Sequence, residues 1–331
     1  MQYRTLGKTD IQISSISLGC WPIAGITSPG STTHEDSLAT IRACFDLGIN
    51  HLDTAYFYGR DGESERLIAE ALGTRRNEMV IATKCGIHWS EDGMQTRDGR
   101  PETLRRHVDQ SLQRLQTDRV ELLYLHAPDP NVPIAESAGE LKRLMEEGKT
   151  RAVGVSNVEF PELKAFAAEC PTAAFQPLYN ILQRQIERDT LPWCLENGVA
   201  VLAYRPLLKG LLAGKIARDH VFDKADSRSR YEMFRGDQWE QNHDFVDRLR
   251  DVARSAGKTV AQVVINWTIR QPGITCAICG ARRPDQIIET VGGEGWELSD
   301  EERAMIDQAI EDRGDPVEEP AFTPRKINTD E

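Results

Sequence analysis

The sequence predicts an α/β fold, a (β/α)8 barrel with an N-terminal β-hairpin and extra helices on long loops, in one domain over residues 1–331. Three observations carry this reading. Short apolar runs alternate with helical patterns in units of about thirty residues, which argues for a parallel sheet. Several of those runs end on polar or ionisable residues, the way a barrel gathers chemistry on one rim. The other parallel architecture, a doubly wound dinucleotide-binding sheet, needs G-x-G-x-x-G after its first strand. The chain reads Gly19-Cys20-Trp21-Pro22-Ile23-Ala24-Gly25 there, which does not match.

The elements follow in order. Residues 2–6 and 11–14 flank the turn-like Gly7-Lys8-Thr9-Asp10 and read as a hairpin capping the fold. A first strand at 16–19 precedes helical patterns at roughly 35–47, 63–72, 101–115, 134–147, 159–169 and 189–197. Pro101 opens one helix at its first turn, and Gly48, Gly148 and Gly198 each follow a helix end. Between these helices, run 48–52 delivers Asp53, 79–83 delivers Lys84 and 120–125 delivers His126. Run 151–155 delivers Ser156 and Asn157, 173–175 delivers Gln176, and 199–203 delivers Tyr204. About seventy residues then separate Tyr204 from the last strand, 274–278, roughly twice the usual unit. The excess is read as a long loop, 205–236, and helices 238–256 and 259–271. Loops of this length on the rim usually act as lids or binding loops. A short helix follows the last strand, and residues 314–331, rich in Pro and charge, read as an irregular tail.

Composition narrows the partners. The net charge of −12, from 40 basic and 52 acidic side chains, disfavours phosphate backbones and anionic lipid. The first residues lack the apolar core of a secretory signal, and no run approaches about 18 apolar residues, so no membrane span and a cytoplasmic location are expected. Seven scattered cysteines fit reduced thiols better than a disulfide framework. Cys276 and Cys279 are three apart on a strand, facing opposite sides, and read as structural.

The chemistry lies in Asp53, Tyr58, Lys84 and His126. A phenol, with an unperturbed pKa near 10, rarely moves protons at neutral pH unless a cation favours its phenolate. Lys84 is that cation, Asp53 would pair with it, and a His126 nitrogen could donate to a substrate oxygen. No metal is expected. A Schiff-base role for Lys84 is conceivable on a barrel, but Tyr58 and the phosphate-type residues below argue against it.

Asp53-Thr54-Ala55-x-x-Tyr58-Gly59, Ile81-Ala82-Thr83-Lys84, Leu125-His126-x-Pro128-Asp129 and Gly154-Val155-Ser156-Asn157 together resemble the aldo-keto reductase superfamily, over about residues 2–310. The resemblance implies a barrel with NADP(H) extended across its C-terminal rim. It implies Tyr58 as general acid, Lys84 lowering its pKa, Asp53 pairing Lys84 and His126 orienting the carbonyl. Ser156, Asn157 and Gln176 match positions that hold the nicotinamide carboxamide, and Tyr204 the ring that stacks on the nicotinamide. Two departures are visible: Arg205-Pro206 follow Tyr204 where many members have Ser, and Ile287-Ile288-Glu289-Thr290 follow Gln286 where Asn is common.

The residues make their own case for a nucleotide. Gly210-Leu211-Leu212-Ala213-Gly214-Lys215 combines turn-permissive glycines with a cation, which suits a pyrophosphate. Arg205 and Leu207, just upstream, are taken into the same seat. Gly280-Ala281-Arg282-Arg283-Pro284-Asp285-Gln286 lies between a strand and a helix, so backbone amides and two guanidiniums can meet an anion. In the family this segment faces the adenosine 2′-phosphate, with Gln286 near the adenine, and two arginines favour NADP(H) over NAD(H). Trp21 and Trp89 could wall the substrate pocket. Phe222, Tyr231, Phe234 and Phe322 could shape it, while His51, His88 and Cys85 are expected to be packing residues. The expected activity is hydride transfer between NADPH and an aldehyde, ketone or sugar/polyol carbonyl by a monomer. The alternative is an NADP(H)-binding redox-sensing or regulatory subunit.

Overall fold

In the computed structural model, which describes residues 1–25, 32–223 and 226–316, eight apolar runs form a closed barrel of parallel strands. Strands β1 (Tyr3–Thr5) and β2 (Gln12–Ser14) pair antiparallel as the expected hairpin. The barrel then runs in chain order through β3 (Ile16–Gly19), β4 (His51–Asp53) and β5 (Val80–Cys85). A second hairpin, β6 (Ile87–Trp89) with β7 (Gln95–Arg97), rises from the loop after β5 and was not expected. The barrel continues through β8 (Val120–Leu125), β9 (Thr150–Ser156), β10 (Thr172–Gln176), β11 (Ala200–Tyr204) and β12 (Ile274–Gly280), which pairs back onto β3.

The connecting helices are α1 (His34–Leu47), α2 (Glu63–Leu72), α3 (Pro101–Leu115), α4 (Ile134–Glu146), α5 (Phe160–Glu169) and α6 (Thr190–Asn197). Gly48 and Gly198 adopt left-handed conformations that end α1 and α6, as their positions suggested. The expected loop 205–236 contains short 3₁₀ turns at Leu208–Ala213, Ser227–Arg230 and Glu232–Phe234. It leads into α7 (Gly236–Ala256) and α8 (Val260–Arg270), and α9 (Pro284–Val291) follows β12. A further helix, α10 (Asp300–Arg313), was missed. The predicted tail falls mostly on residues 317–331, which lie, with Phe322, outside the described residues.

Two apolar layers set the geometry. Inside the barrel, small and large side chains alternate, with Ala82, Ala152, Ala174 and Ala200 against Leu122, Tyr124, Leu202 and Ile278. Gly154 is required there, since a Cβ would lie 2.5 Å from Tyr124 Cε1. Leu6, Ile11 and Ile13 of the first hairpin join this interior cluster, so the hairpin plugs the end of the barrel away from the strands' C-termini. The outer layer packs helices on strands. All seven cysteines are buried and free. No helix among the described residues is long and apolar enough to cross a membrane.

Candidate active site

Parallel strands put every C-terminal end on the same rim. Asp53 closes β4, Lys84 is the penultimate residue of β5, and His126 follows β8. Ser156 closes β9 with Asn157 beyond it, while Gln176 and Tyr204 close β10 and β11. Tyr58 comes from a loop, and backbone bonds bring it to the rim. Thr54 N donates to Ala82 O at 2.8 Å and Tyr56 N to Lys84 O at 3.0 Å, so the segment runs along β5 before turning. The indole N–H of Trp89 then donates to Phe57 O at 2.8 Å, tying the β6–β7 hairpin to the same segment.

Lys84 is the hub. Its Nζ lies 2.6 Å from Asp53 Oδ1, 2.8 Å from Thr54 O and 3.3 Å from Tyr58 OH, which gives each ammonium hydrogen an acceptor. Lys84 is 1 % exposed and Asp53 3 %. Burial is the largest influence and opposes the ammonium charge, but Asp53 and Tyr58 together overcome it, so the lysine's pKa is raised and the group stays charged. For Tyr58 burial is the larger influence and pushes the phenol above its usual range, while Lys84 pulls it back. The net direction is therefore upward, and the phenol holds its proton at neutral pH. Burial, then the Lys84 charge, holds the His126 imidazole well below its ordinary pKa, so the ring is neutral.

Aromatic rings wall the space over Tyr58. Trp21 meets Tyr58 edge-on at 4.9 Å, and Phe57 lies 5.4 Å from Trp21, 5.5 Å from Trp89 and 5.0 Å from His126. Trp21 thus packs against Tyr58 and Trp89 against Phe57, while Phe57, central to this cluster, was not singled out in the sequence. Phe222 and Phe234 do not join it; they pack on each other and on Trp239 of α7, which anchors their loop. Cys85 is buried with its thiol pKa raised by burial, and His88 rests 5.6 Å from His107.

His51, two residues before Asp53, is fully buried with no partner for either ring nitrogen. Burial pushes its pKa down to about 4. The unfolded chain therefore takes up a proton near pH 6.5 that the folded chain refuses until about pH 4. Stability falls as pH drops through that window, by roughly 3 kcal/mol from this group. A urea titration series should show the fall, reduced in His51→Leu; an equal fall in that variant would remove the assignment.

A second set of side chains continues along the rim. Gln176 Nε2 donates to Asp53 Oδ2 at 2.7 Å, and Ser156 Oγ donates to Gln176 O at 2.8 Å. Asn157 Nδ2 donates to His126 O at 2.8 Å, and Tyr204 OH to Asn157 Oδ1 at 2.8 Å. Past Tyr204 the backbone turns left-handed at Arg205, Leu208, Lys209 and Gly210. Such conformations build anion-binding nests. The Leu207 carbonyl accepts from Gly210 N and Leu212 N, closing the turn. Leu211, which the sequence put in this seat, is 1 % exposed and buried in the core. Lys215 bonds Glu289 at 2.5 Å instead of facing Gly210.

Arg228, not foreseen, lies against the turn: its guanidinium donates to Lys209 O at 3.5 Å and comes within 3.9 Å of the position a Gly210 Cβ would take. Asp226 holds it at 2.5 Å. Arg282 has its pKa lowered by burial, and next by Arg228 and Arg283, so like charges converge there. Its backbone N–H donates to Gln286 Oε1 at 2.8 Å at the start of α9, and Gly280 ends β12 beside Pro22. An open left-handed turn beside crowded guanidiniums fits the phosphates of a dinucleotide.

Comparison with known proteins agrees with this geometry. A sequence profile described as the aldo/keto reductase family matches residues 15–311. The chain is 36% identical over 321 residues to an aldo-keto reductase of Bacillus subtilis (strain 168), covering 96% of each chain. It is 31% identical over 320 residues to the NADH-specific methylglyoxal reductase of Escherichia coli (strain K12), covering 92% of this chain and 97% of that one. The solved structure of a glycerol dehydrogenase from Gluconobacter oxydans superposes with a TM-score of 0.88 at 36% identity, covering 97% and 98% of the two chains. Named reductases and a dehydrogenase favour an enzyme over the regulatory alternative. The chain belongs to the aldo/keto reductase family and is an oxidoreductase acting on carbonyl compounds with a nicotinamide cofactor.

Proposed function

We propose that this enzyme is an NADP(H)-dependent reductase of small uncharged aldehydes and ketones, running in reverse on the matching alcohols or polyols, with Tyr58 as general acid. The observation that carries this reading is the buried ammonium of Lys84, bonded to Asp53 at 2.6 Å and to Tyr58 at 3.3 Å beneath an aromatic wall. The nicotinamide, when bound, supplies the hydride. The chain does the rest. Tyr58 gives its proton to the developing alkoxide, Lys84 stabilises the phenolate left behind, and Asp53 keeps Lys84 charged. The neutral His126 donates a hydrogen bond to the same substrate oxygen. Trp21, Phe57 and Trp89 exclude water and favour apolar or small neutral substrates over charged ones.

Ser156, Asn157, Gln176 and Tyr204 form the nicotinamide seat, and the turn from Arg205 to Gly210 with Arg228 takes the pyrophosphate. Arg282 and Arg283 face the 2′-phosphate, with Gln286 near the adenine. The NADH-specific relative makes this preference the point to test. NADPH is expected to outperform NADH, and Arg282→Ala to raise KM for NADPH by about 10–100-fold with little effect on NADH, the range of a lost charge-assisted contact. Steady-state assays of aldehydes, ketones, sugars and polyols with both cofactors, in both directions, check cofactor, substrate class and direction together. Equal KM values for NADPH and NADH in the unaltered enzyme would reject the phosphate site, and tight nucleotide binding without turnover would restore the regulatory reading. Seven buried free thiols suit a reducing cytoplasm, and a monomer suffices for the site.

A further inference from the structure

The side chain of Gln176 is held in one orientation by chemistry. Its amide lies 2.7 Å from Asp53 Oδ2. A carboxylate can only accept hydrogen bonds, so the amide nitrogen must face Asp53 and the carbonyl Oε1 must face away. Asp53 cannot yield, because its other oxygen is engaged by Lys84 at 2.6 Å. Gln176 is 3 % exposed and pairs with Ser156 across β9 and β10, and the Ser156 hydroxyl donates to its backbone carbonyl. Its placement is therefore set from both sides.

The opposite side of the seat has the complementary sense. Asn157 already accepts from Tyr204 OH through Oδ1, and its Nδ2 donates to His126 O and, at 3.1 Å, to Ser156 Oγ. An entering acceptor can take over the longer of these bonds. The seat thus offers an acceptor at Gln176 and a donor at Asn157, matched to a primary amide presented one way round.

We propose that Asp53 sets the hydrogen-bond polarity of the nicotinamide seat: by holding Gln176 through its nitrogen, it makes Gln176 Oε1 the acceptor for the carboxamide NH₂ and leaves the carboxamide oxygen to Asn157. Asp53 is then a positioning residue for the cofactor as well as the partner of Lys84. This inference rests on Ser156, Asn157 and Gln176 being the nicotinamide seat. Its consequence is selection for a ring substituent that carries an N–H donor.

Titration calorimetry on the enzyme without bound nucleotide tests it, using NADP⁺ and its 3-acetylpyridine analogue, in which a methyl ketone replaces the amide. The unaltered enzyme should bind NADP⁺ about tenfold more tightly, the worth of one hydrogen bond to a buried acceptor. In Asp53→Asn the new amide can donate, Gln176 can turn its carbonyl toward it, and the ratio should fall to about one. Gln176→Leu should give the same fall. A ratio that stays near tenfold in Asp53→Asn but collapses in Gln176→Leu overturns the polarity role and leaves the nicotinamide seat standing. A ratio unaffected by either change overturns both. Should Asp53→Asn fail to fold, the side-chain amide of Gln176 in the ¹⁵N-labelled unaltered protein decides. One Nε2 proton shifted downfield and slow to exchange supports the bond to Asp53, and two freely exchanging protons overturn it.

Discussion

Replacing Tyr58 by Phe is expected to slow carbonyl reduction by about 10²–10⁴-fold, the usual contribution of a general acid, while nucleotide binding survives. The magnitude follows from what else could supply the proton. His126 is neutral, its pKa held well below the ordinary value by burial and then by the Lys84 charge, so no imidazolium stands ready. Lys84 already serves Asp53, Thr54 O and Tyr58, and it stays charged because Asp53 and Tyr58 together overcome the burial that opposes it. The phenol alone is both protonated and directed at the pocket. Because burial holds its pKa above the usual value against the pull of Lys84, reduction should stay level through neutral pH. It should decline only as alkaline pH removes the Tyr58 proton. The measurement is kcat/KM against pH for both proteins: the Phe variant should lose rate and alkaline limb together. Undiminished reduction by the variant would sink the assignment of Tyr58.

The rim was legible in the sequence because its signal is local. A strand that ends in Asp53 or Gln176 shows an apolar run and then a polar residue, and parallel connection places all such ends together without knowledge of any contact. Helix ends were legible for the same reason, since Gly48 and Gly198 announce themselves by their need for left-handed backbone. The β6–β7 hairpin was not read, because two three-residue strands are too short to show a period. The Asp92-Gly93 turn was its one available sign, with Gly93 at φ 77. Helix α10 shows little amphipathic patterning, although Ser299 and Glu302 form a capping box that could have revealed it. Arg228 and the Asp53–Gln176 bond are of another kind. Arg228 reaches a turn 19 residues away and Gln176 a carboxylate 123 residues away, so only the folded chain brings them to the site.

Replacing Lys84 by Met should both unfold and inactivate, and the two effects can be separated. Removing one partner of a buried ion pair leaves the other charge uncompensated, at a cost of about 3–5 kcal/mol. Asp53 meets that condition, being 3 % exposed with, among the described residues, the Gln176 amide left to hydrogen-bond its side chain. Urea denaturation of Lys84→Met should therefore show a loss of that size. Adding Asp53→Asn removes the stranded charge, so the double variant should regain most of the lost stability, because deleting both members of a buried pair is often close to neutral. Activity should not return with it. Without the ammonium 3.3 Å from its hydroxyl, Tyr58 has no cation to stabilise its phenolate, and burial, which already raises its pKa, acts unopposed. Proton transfer to substrate then becomes uphill however well the barrel is folded, and the rate should fall at least as far as in Tyr58→Phe. A double variant no more stable than Lys84→Met would show that the cost lies in lost packing of the lysine stem. A stable double variant with near-normal turnover would show that the ion pair holds the barrel together without tuning the acid.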